Sequence, residues 1–260
     1  MSRHRLDAEL VRRGLVASRA RATEVIAAGR VVVGGAPATS AARRVSTAES
    51  ISVEGPPPPF VSRGGKKLAH ALDAFALDVN GKRCLDAGAS TGGFTDCLLQ
   101  HGATRVYSVD VGRGQLAWSL RQDPRVQVLE RTNVRTLEPD QIDGFVPIAV
   151  ADLSFISLLT VAPALVRCIA TDGELVLLLK PQFEAGRSRI GRKGVITDPQ
   201  VHAEVLLEVT TGLVEQGIVT VDIVESPLLG AEGNREFLLH GRRDGAVVPT
   251  DRLLALAGAS

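Results

Sequence analysis

Two ionisable residues close apolar runs in this chain. Asp152 follows Val150-Ala151, and Lys180 follows Leu175-Val176-Leu177-Leu178-Leu179. In open α/β sheets the ligand lies beyond the carboxyl ends of the strands. An acid and an amine placed there are candidates for orienting a substrate hydroxyl and handling its proton. The structural alternatives are a lysine that snorkels to the surface and an aspartate that caps the next helix. A second centre of chemistry is Leu85-Asp86-Ala87-Gly88-Ala89-Ser90-Thr91-Gly92-Gly93-Phe94. It reads as a strand, a glycine-rich turn and a helix start. Glycine there lets a ligand touch backbone that a Cβ would cover, and the helix N-terminus offers free N–H groups. On periodicity alone a nicotinamide cofactor stays open. Three features select S-adenosylmethionine instead. The spacing is DxGxxxGG rather than GxGxxG; Asp86 at the loop entrance attracts an amino group or sulfonium and repels a pyrophosphate; and Asp110, ending the next strand, can accept two ribose hydroxyls. The candidate cofactor residues are Asp86, Gly88, Ala89, Ser90, Gly92, Gly93, Phe94, Asp110, Val111, Asn133, Val134 and Asp152, with Asn133 and Val134 toward the adenine.

The elements that must hold these groups follow from hydropathy. Strands are expected at Lys82–Asp86, Arg105–Val111, Val126–Glu130, Ile148–Asp152, Leu175–Leu179, Val219–Glu225 and Glu236–His240. Helices alternate with them at Phe94–Gln100, Leu116–Arg121, after the Ile148–Asp152 strand through about Ala170, and Val201–Gln216. The 175–179 run is apolar on both faces, as a buried parallel strand requires. The fold class is α/β: a Rossmann-like, doubly wound, mostly parallel sheet, preceded by a small α+β module. A helix from about Lys66 to Phe75 leads into the sheet.

Residues 1–67 carry twelve Lys/Arg against five Asp/Glu, whereas the remainder carries eighteen against twenty-four. That asymmetry predicts a basic module for a polyanion joined to a mildly acidic body. Residues 1–55 form the module, Pro56–Pro59 open a stiff linker over 56–63, and 64–260 form the body. Within the module, helices are expected at Arg5–Val11 and from a Ser18 cap to Ala27, with strands at Arg30–Val33 and near Glu49–Glu54. The run RLDAELVRRGLVASRARATEVIAAGRVVVGG resembles the RNA-binding domain of small-subunit ribosomal protein S four, tRNA synthetases and pseudouridine synthases. The resemblance implies an RNA face carrying Arg3, Arg5, Arg19, Arg21 and Arg30. Arg63 and the basic stretch Arg187, Arg189, Arg192 and Lys193 are further candidates for gripping a phosphate backbone.

Over nearly its whole length the chain resembles the TlyA family of FtsJ-like ribosomal RNA 2′-O-methyltransferases, some historically labelled hemolysins. Ser62-Arg63-Gly64-Gly65-Lys66-Lys67-Leu68, LDAGASTGGFTD, ADLSFISL, KPQFE and Gly233-Asn234-Arg235-Glu236 carry the likeness. It implies a catalytic tetrad at Lys67, Asp152, Lys180 and Glu236. It also implies a cytidine 2′-hydroxyl in 16S or 23S ribosomal RNA as substrate, and ribosomal subunits as partners. Within such a tetrad, Lys180 either takes the hydroxyl proton or only steers the oxygen, and the four groups share protons as a coupled set.

Cys84, Cys97 and Cys168 form no CxxC pair and no metal spacing, so packed thiols in a cytoplasmic protein and no metal are expected. No stretch approaches the roughly 20 apolar residues of a membrane span. A soluble monomer is the expectation. The rival classes are a noncatalytic RNA-binding assembly factor, which would need neither Lys180 nor Glu236, and a membrane-lytic protein, which would need an amphipathic or spanning segment. A pseudouridine synthase would share the module but not the glycine turn.

Overall fold

The computed structural model describes residues 3–16, 18–56, 58–186, 189–191, 194–230 and 232–259. The chain forms two compact units, residues 1–58 and 59–260.

The first unit is a small α+β fold. Helix α1 (Leu6–Arg12) and helix α2 (Arg19–Ala27) bury Leu6, Leu10, Ala22, Val25 and Ile26 against Val31, Val33 and Val45. Ser18 caps α2, its hydroxyl accepting from the Arg21 N–H at 3.2 Å, which satisfies one of the orphan donors of a helix start. Strand β1 (Arg3–Arg5) pairs antiparallel with β4 (Arg44–Ser46), while β2 (Val31–Val33) pairs with β3 (Ala36–Pro37) and β5 (Ile51–Val53). Hydropathy does not foresee β1, β3 and β4: Arg3–Arg5, Ala36–Pro37 and Arg44–Ser46 hold at most one β-branched apolar residue each, against three valines in β2 and Ile51 with Val53 in β5.

The second unit is built on a seven-stranded sheet. Its strands are β6 (Arg83–Ala87), β7 (Arg105–Asp110), β8 (Val126–Glu130), β9 (Val146–Ala151), β10 (Ile169–Leu179), β11 (Val219–Glu225) and β12 (Phe237–Arg242). They lie in the order β11-β12-β10-β9-β6-β7-β8. All run parallel except β12, which is antiparallel to both of its neighbours. Helices α3 (Gly64–Ala74) and α4 (Gly93–Gln100) cover one face. On the other lie α6 (Leu158–Cys168) and α8 (Pro199–Glu215), with α9 (Thr250–Ala257) packed against α8. Strand β10 shows why both faces are apolar. Leu175, Leu177 and Leu179 join the core under α6 and α8, and Val176 and Leu178 join the core under α3 and α4. Each fully buried leucine contributes about 1.5–3 kcal/mol.

Two expectations shift. Strand β10 begins at Ile169, not Leu175, because Asp172-Gly173-Glu174 is an irregularity in the β9–β10 register rather than a turn between elements. A Cβ at Gly173 would stand 2.3 Å from the Ile169 side chain, so glycine lets the bent strand continue. The segment expected to be linker is shorter than 56–63. The Pro59 carbonyl accepts from Gln100 Nε2 at 2.8 Å, the Val61 N–H donates to Asp96 Oδ2 at 2.8 Å, and Phe60 and Val61 pack on the α3–α4 core.

Candidate active site

Two cavities open beside the carboxyl ends of β6, β7, β9 and β10. The first, about 450 Å³, is lined by Gly88, Ser90, Asp110, Val111, Gln115, Asn133, Val134, Arg135, Asp152, Leu153, Ser154, Phe155, Ile156 and Val161. The second, about 480 Å³, is lined by Ser154, Phe155, Lys180, Gln182, Phe183, Ile190, Gly194, Glu232 and Glu236. Ser154 and Phe155 belong to both walls. Volumes of this size suit a small-molecule ligand.

The glycine turn shapes the first cavity differently from the sequence expectation. A Cβ on Gly88 would sit 2.5 Å from the Asp152 carbonyl, and one on Gly92 would sit 2.3 Å from Leu120 Cδ1. Both residues have positive φ, +89° and +96°. A Cβ on Gly93 would meet Ser62 Oγ at 2.2 Å. Glycine is therefore demanded by neighbouring protein chain, not chiefly by ligand access. The turn is pinned by Asp110. Its two carboxylate oxygens accept from the N–H of Gly112 at 2.6 Å and of Ser90 at 2.8 Å. Each of its oxygens keeps a further lone pair.

Among the expected cofactor residues, Gly88, Ser90, Asp110, Val111, Asn133, Val134 and Asp152 line this cavity. Asp86, Ala89, Gly92, Gly93 and Phe94 do not. Asp86 is fully buried behind the turn, where Thr95 Oγ1 donates to its Oδ2 at 2.6 Å and Oδ1 has no partner. Burial pushes its carboxyl up to about 7, the Thr95 hydrogen bond pulls it down, and the Asp152 and Asp110 carboxylates push it further up. The carboxylates on the cavity wall are instead those of Asp110 and Asp152. With those acids, Asn133 and Val134 in its wall, the lining fits a cationic nucleoside such as S-adenosylmethionine.

The four tetrad positions form two ion pairs. Lys180 Nζ stands 2.6 Å from Asp152 Oδ1 and donates to Ser154 Oγ at 3.0 Å. Lys67 Nζ pairs with Glu236 Oε2, both side chains under 10% exposed at 8% and 3%. Lys67 comes from the first turns of α3. Glu236 immediately precedes β12, and because that strand is reversed, its leading end lies level with the carboxyl ends of β9 and β10. Gly230 leaves room for it, since a Cβ there would approach Glu236 Oε1 to 2.6 Å. Hydropathy misses Phe155. It is 89% exposed, has φ +62°, and its ring centroid lies 5.0 Å from that of Phe183. A left-handed backbone dihedral leaves no mark on residue type.

The expected RNA-binding arginines divide. Arg5 and Arg19 both bind Asp7, at 3.1 Å and 2.8 Å, and the Arg5 hydrogen bond leads in holding that carboxyl well below the usual range. Arg21 pairs with Glu24, and Arg3 donates to the Arg44 carbonyl. Arg3, Arg5 and Arg19 still expose about half or more of their side chains, at 61%, 48% and 61%. Arg30 instead donates to the carbonyls of Glu54, Gly55 and Pro56, fastening the end of its unit. Arg189 is likewise committed, to the Ala185 carbonyl and to Glu204 and Glu208 on α8. Arg63 is exposed, and its guanidinium has no hydrogen-bond or ion-pair partner among the described residues. Arg187, Arg192 and Lys193 lie outside the described residues. Among the described residues no group of three or more His, Cys, Asp or Glu could hold a metal, and no helix is long and apolar enough to cross a membrane.

A family model described as FtsJ-like methyltransferase matches residues 60–243. The chain belongs to the FtsJ-like methyltransferase family. An S4 domain model matches residues 4–51 ahead of this FtsJ-like unit. Over 257 residues the chain is 52% identical to the 16S/23S rRNA (cytidine-2′-O)-methyltransferase TlyA of Mycobacterium tuberculosis, covering 98% of this chain and 94% of the relative. It is 39% identical to Hemolysin A of Brachyspira hyodysenteriae, covering 91% and 98%. A solved structure of a hemolysin-named protein from Streptococcus thermophilus superposes with TM-score 0.80 at 38% identity, covering 99% and 95%.

Proposed function

We propose that this FtsJ-like methyltransferase moves a methyl group from S-adenosylmethionine to the ribose 2′-hydroxyl of a cytidine in 16S or 23S ribosomal RNA, the substrates named for its mycobacterial relative. One observation carries the reading: Asp152 lies on the wall of the first cavity, its ion-pair partner Lys180 and Glu236 lie on the wall of the second, and the two cavities share Ser154 and Phe155.

When bound, the cofactor supplies an electrophilic methyl group on a sulfonium. The chain's own residues do the rest. Asp110 and Asn133 hold the nucleoside end in the first cavity. Lys180, steadied by Asp152 and Ser154, keeps a third N–H position toward the second cavity. There it holds the ribose hydroxyl, and the Asp152–Lys180 pair is the local acceptor for its proton. Glu236 lines the second cavity, and Lys67, nearly dry behind it, holds its carboxylate in place. Alignment of the reacting atoms supplies much of the rate gain. Phe155 offers an exposed ring between the cavities, suited to stacking on a nucleobase drawn out of its neighbours. The S4 unit and Arg63 grip phosphates, so affinity falls steeply with salt. With ribosomal subunits as its substrate, the enzyme acts in the cytoplasm, where they are.

The test is transfer of labelled methyl to separated small and large subunits lacking the mark, with Lys180→Ala beside the wild type. The expected result is label on cytidine ribose for the wild type and background for the variant, with cofactor binding retained. Label on a base, or none on either subunit, would overturn the reading.

A further inference from the structure

Glu184 ends the KPQFE segment, and it lines neither cavity. It nevertheless joins the two strand-end segments that carry the chemistry. Helix α7 (Pro181–Glu184) starts directly after Lys180, which is its N-cap. Backbone bonds from Phe183 N to the Lys180 carbonyl and from Ala185 N to the Pro181 carbonyl, both 2.9 Å, make this a stiff turn. The position of Glu184 is therefore fixed relative to Lys180. From the opposite segment, the Leu158 N–H donates to Glu184 Oε1 at 2.8 Å, and the Ser157 hydroxyl helps draw the same carboxyl down. Ser157 is at once the N-cap of α6, its hydroxyl accepting from the Leu159 N–H at 3.1 Å.

The stretch 152–158 thus meets the stretch 180–184 at both ends. At one end Lys180 holds Asp152 and Ser154. At the other Glu184 holds the start of α6 through the Leu158 N–H. Between these points stands Phe155, in a left-handed conformation that a bulky residue keeps only where its surroundings over-determine it. A carboxylate at the N-terminus of α6 also complements the helix dipole. Burial pushes this carboxyl up, while the Ser157 and Leu158 bonds pull it down, as expected of a group desolvated in order to bind.

We propose that Glu184 is a positioning residue for methyl transfer, a clamp that keeps Asp152, Ser154 and Phe155 in register with Lys180. The proposal rests on the methyltransferase reading above. It acts on the geometry of the reacting groups and touches neither substrate nor cofactor. Misplacement of reacting atoms by about an ångström is enough to lose on the order of 100-fold in rate.

Single-turnover methyl transfer at saturating cofactor and ribosomal subunit, expressed per folded molecule, tests this. Glu184→Ala is expected to slow transfer about 10- to 100-fold. Glu184→Gln, which keeps an oxygen for the Leu158 N–H, is expected to stay within about threefold of wild type. A merely structural carboxylate would lower the melting temperature of Glu184→Ala and leave the rate per folded molecule unchanged; that outcome overturns the clamp. Should Glu184→Ala fail to fold, Glu184→Asp, one methylene too short for the Leu158 N–H, must slow transfer several-fold, a wild-type rate again overturning it. If the wild type itself transfers no methyl, the methyltransferase reading falls and the clamp with it. A working wild type beside an unimpaired Glu184→Ala defeats only the clamp.

Discussion

Replacing Lys67 with Met separates what the buried ion pair does for stability from what it does for chemistry. Glu236 is 3% exposed and its partner 8%. Removing the ammonium leaves a carboxylate with little water to turn to. Breaking such a pair on one side costs about 3–5 kcal/mol. The unit concerned spans residues 59–260, a size at which each kcal/mol shifts the midpoint by about 2–4 °C. Lys67→Met should therefore lower the melting transition of this unit by about 6–20 °C. The double variant Lys67→Met/Glu236→Met removes both charges with unbranched side chains of similar length, and it should recover most of that loss. Methyl transfer should be absent from both. Scanning calorimetry resolves the transition, and single-turnover transfer on the same samples reports the chemistry. A single variant melting within about 2 °C of wild type would refute the claim that the pair is desolvated. A double variant no more stable than the single would refute the claim that the unpaired carboxylate is the cause.

Three further outcomes follow from the placement of single charged groups. The Asp86 carboxyl sits near 7 in the folded state because it is buried, against about 3.9 when unfolded. Between those values the folded chain holds a proton that the unfolded chain has released, so stability falls as pH rises from about 4 through about 7 and is flat above. Asp86→Asn removes that component, and its melting temperatures at pH 5 and pH 8 should lie closer together than those of wild type; an unchanged difference would sink the assignment. Arg63→Ala should weaken ribosomal RNA binding and flatten its dependence on salt, because a free cation is lost. Arg189→Ala should leave that salt dependence alone and instead loosen α8, whose Glu204 and Glu208 lose their partner. Filter binding at several salt concentrations distinguishes the two.

Much of the frame was legible because its signals are local. The five apolar residues before Lys180, and the shorter apolar run before Asp152, mark strand ends whatever the tertiary structure. The glycine turn marks its own location too, although its glycines answer to Asp152, Leu120 and Ser62 rather than to a ligand. Lys67 is different. Lys66 beside it has the same chemistry, and nothing in helical periodicity chooses between them; the choice is made by Glu236, 169 residues away. Only the resemblance to a family pointed to that pair. The arginines illustrate the same limit. Arg30, Arg63 and Arg189 are indistinguishable as residue types, yet one ties down backbone carbonyls, one is unpartnered among the described residues, and one is spent on two glutamates. Composition records the charge, while tertiary contacts decide whether it is free to meet a polyanion.

The lone reversed strand makes the chain unequally tolerant of length changes on its two sides. Extra residues after Arg242 would emerge at the opposite margin of the sheet, remote from the paired lysines. One extra residue inside β12 near Phe237 would slip its leading end by one place. Since alternate positions face opposite sides, the acid at 236 would swing from one layer to the other and leave the amine on α3 stranded. Insertions tolerated at the trailing end of that strand should therefore be lethal to function at its leading end.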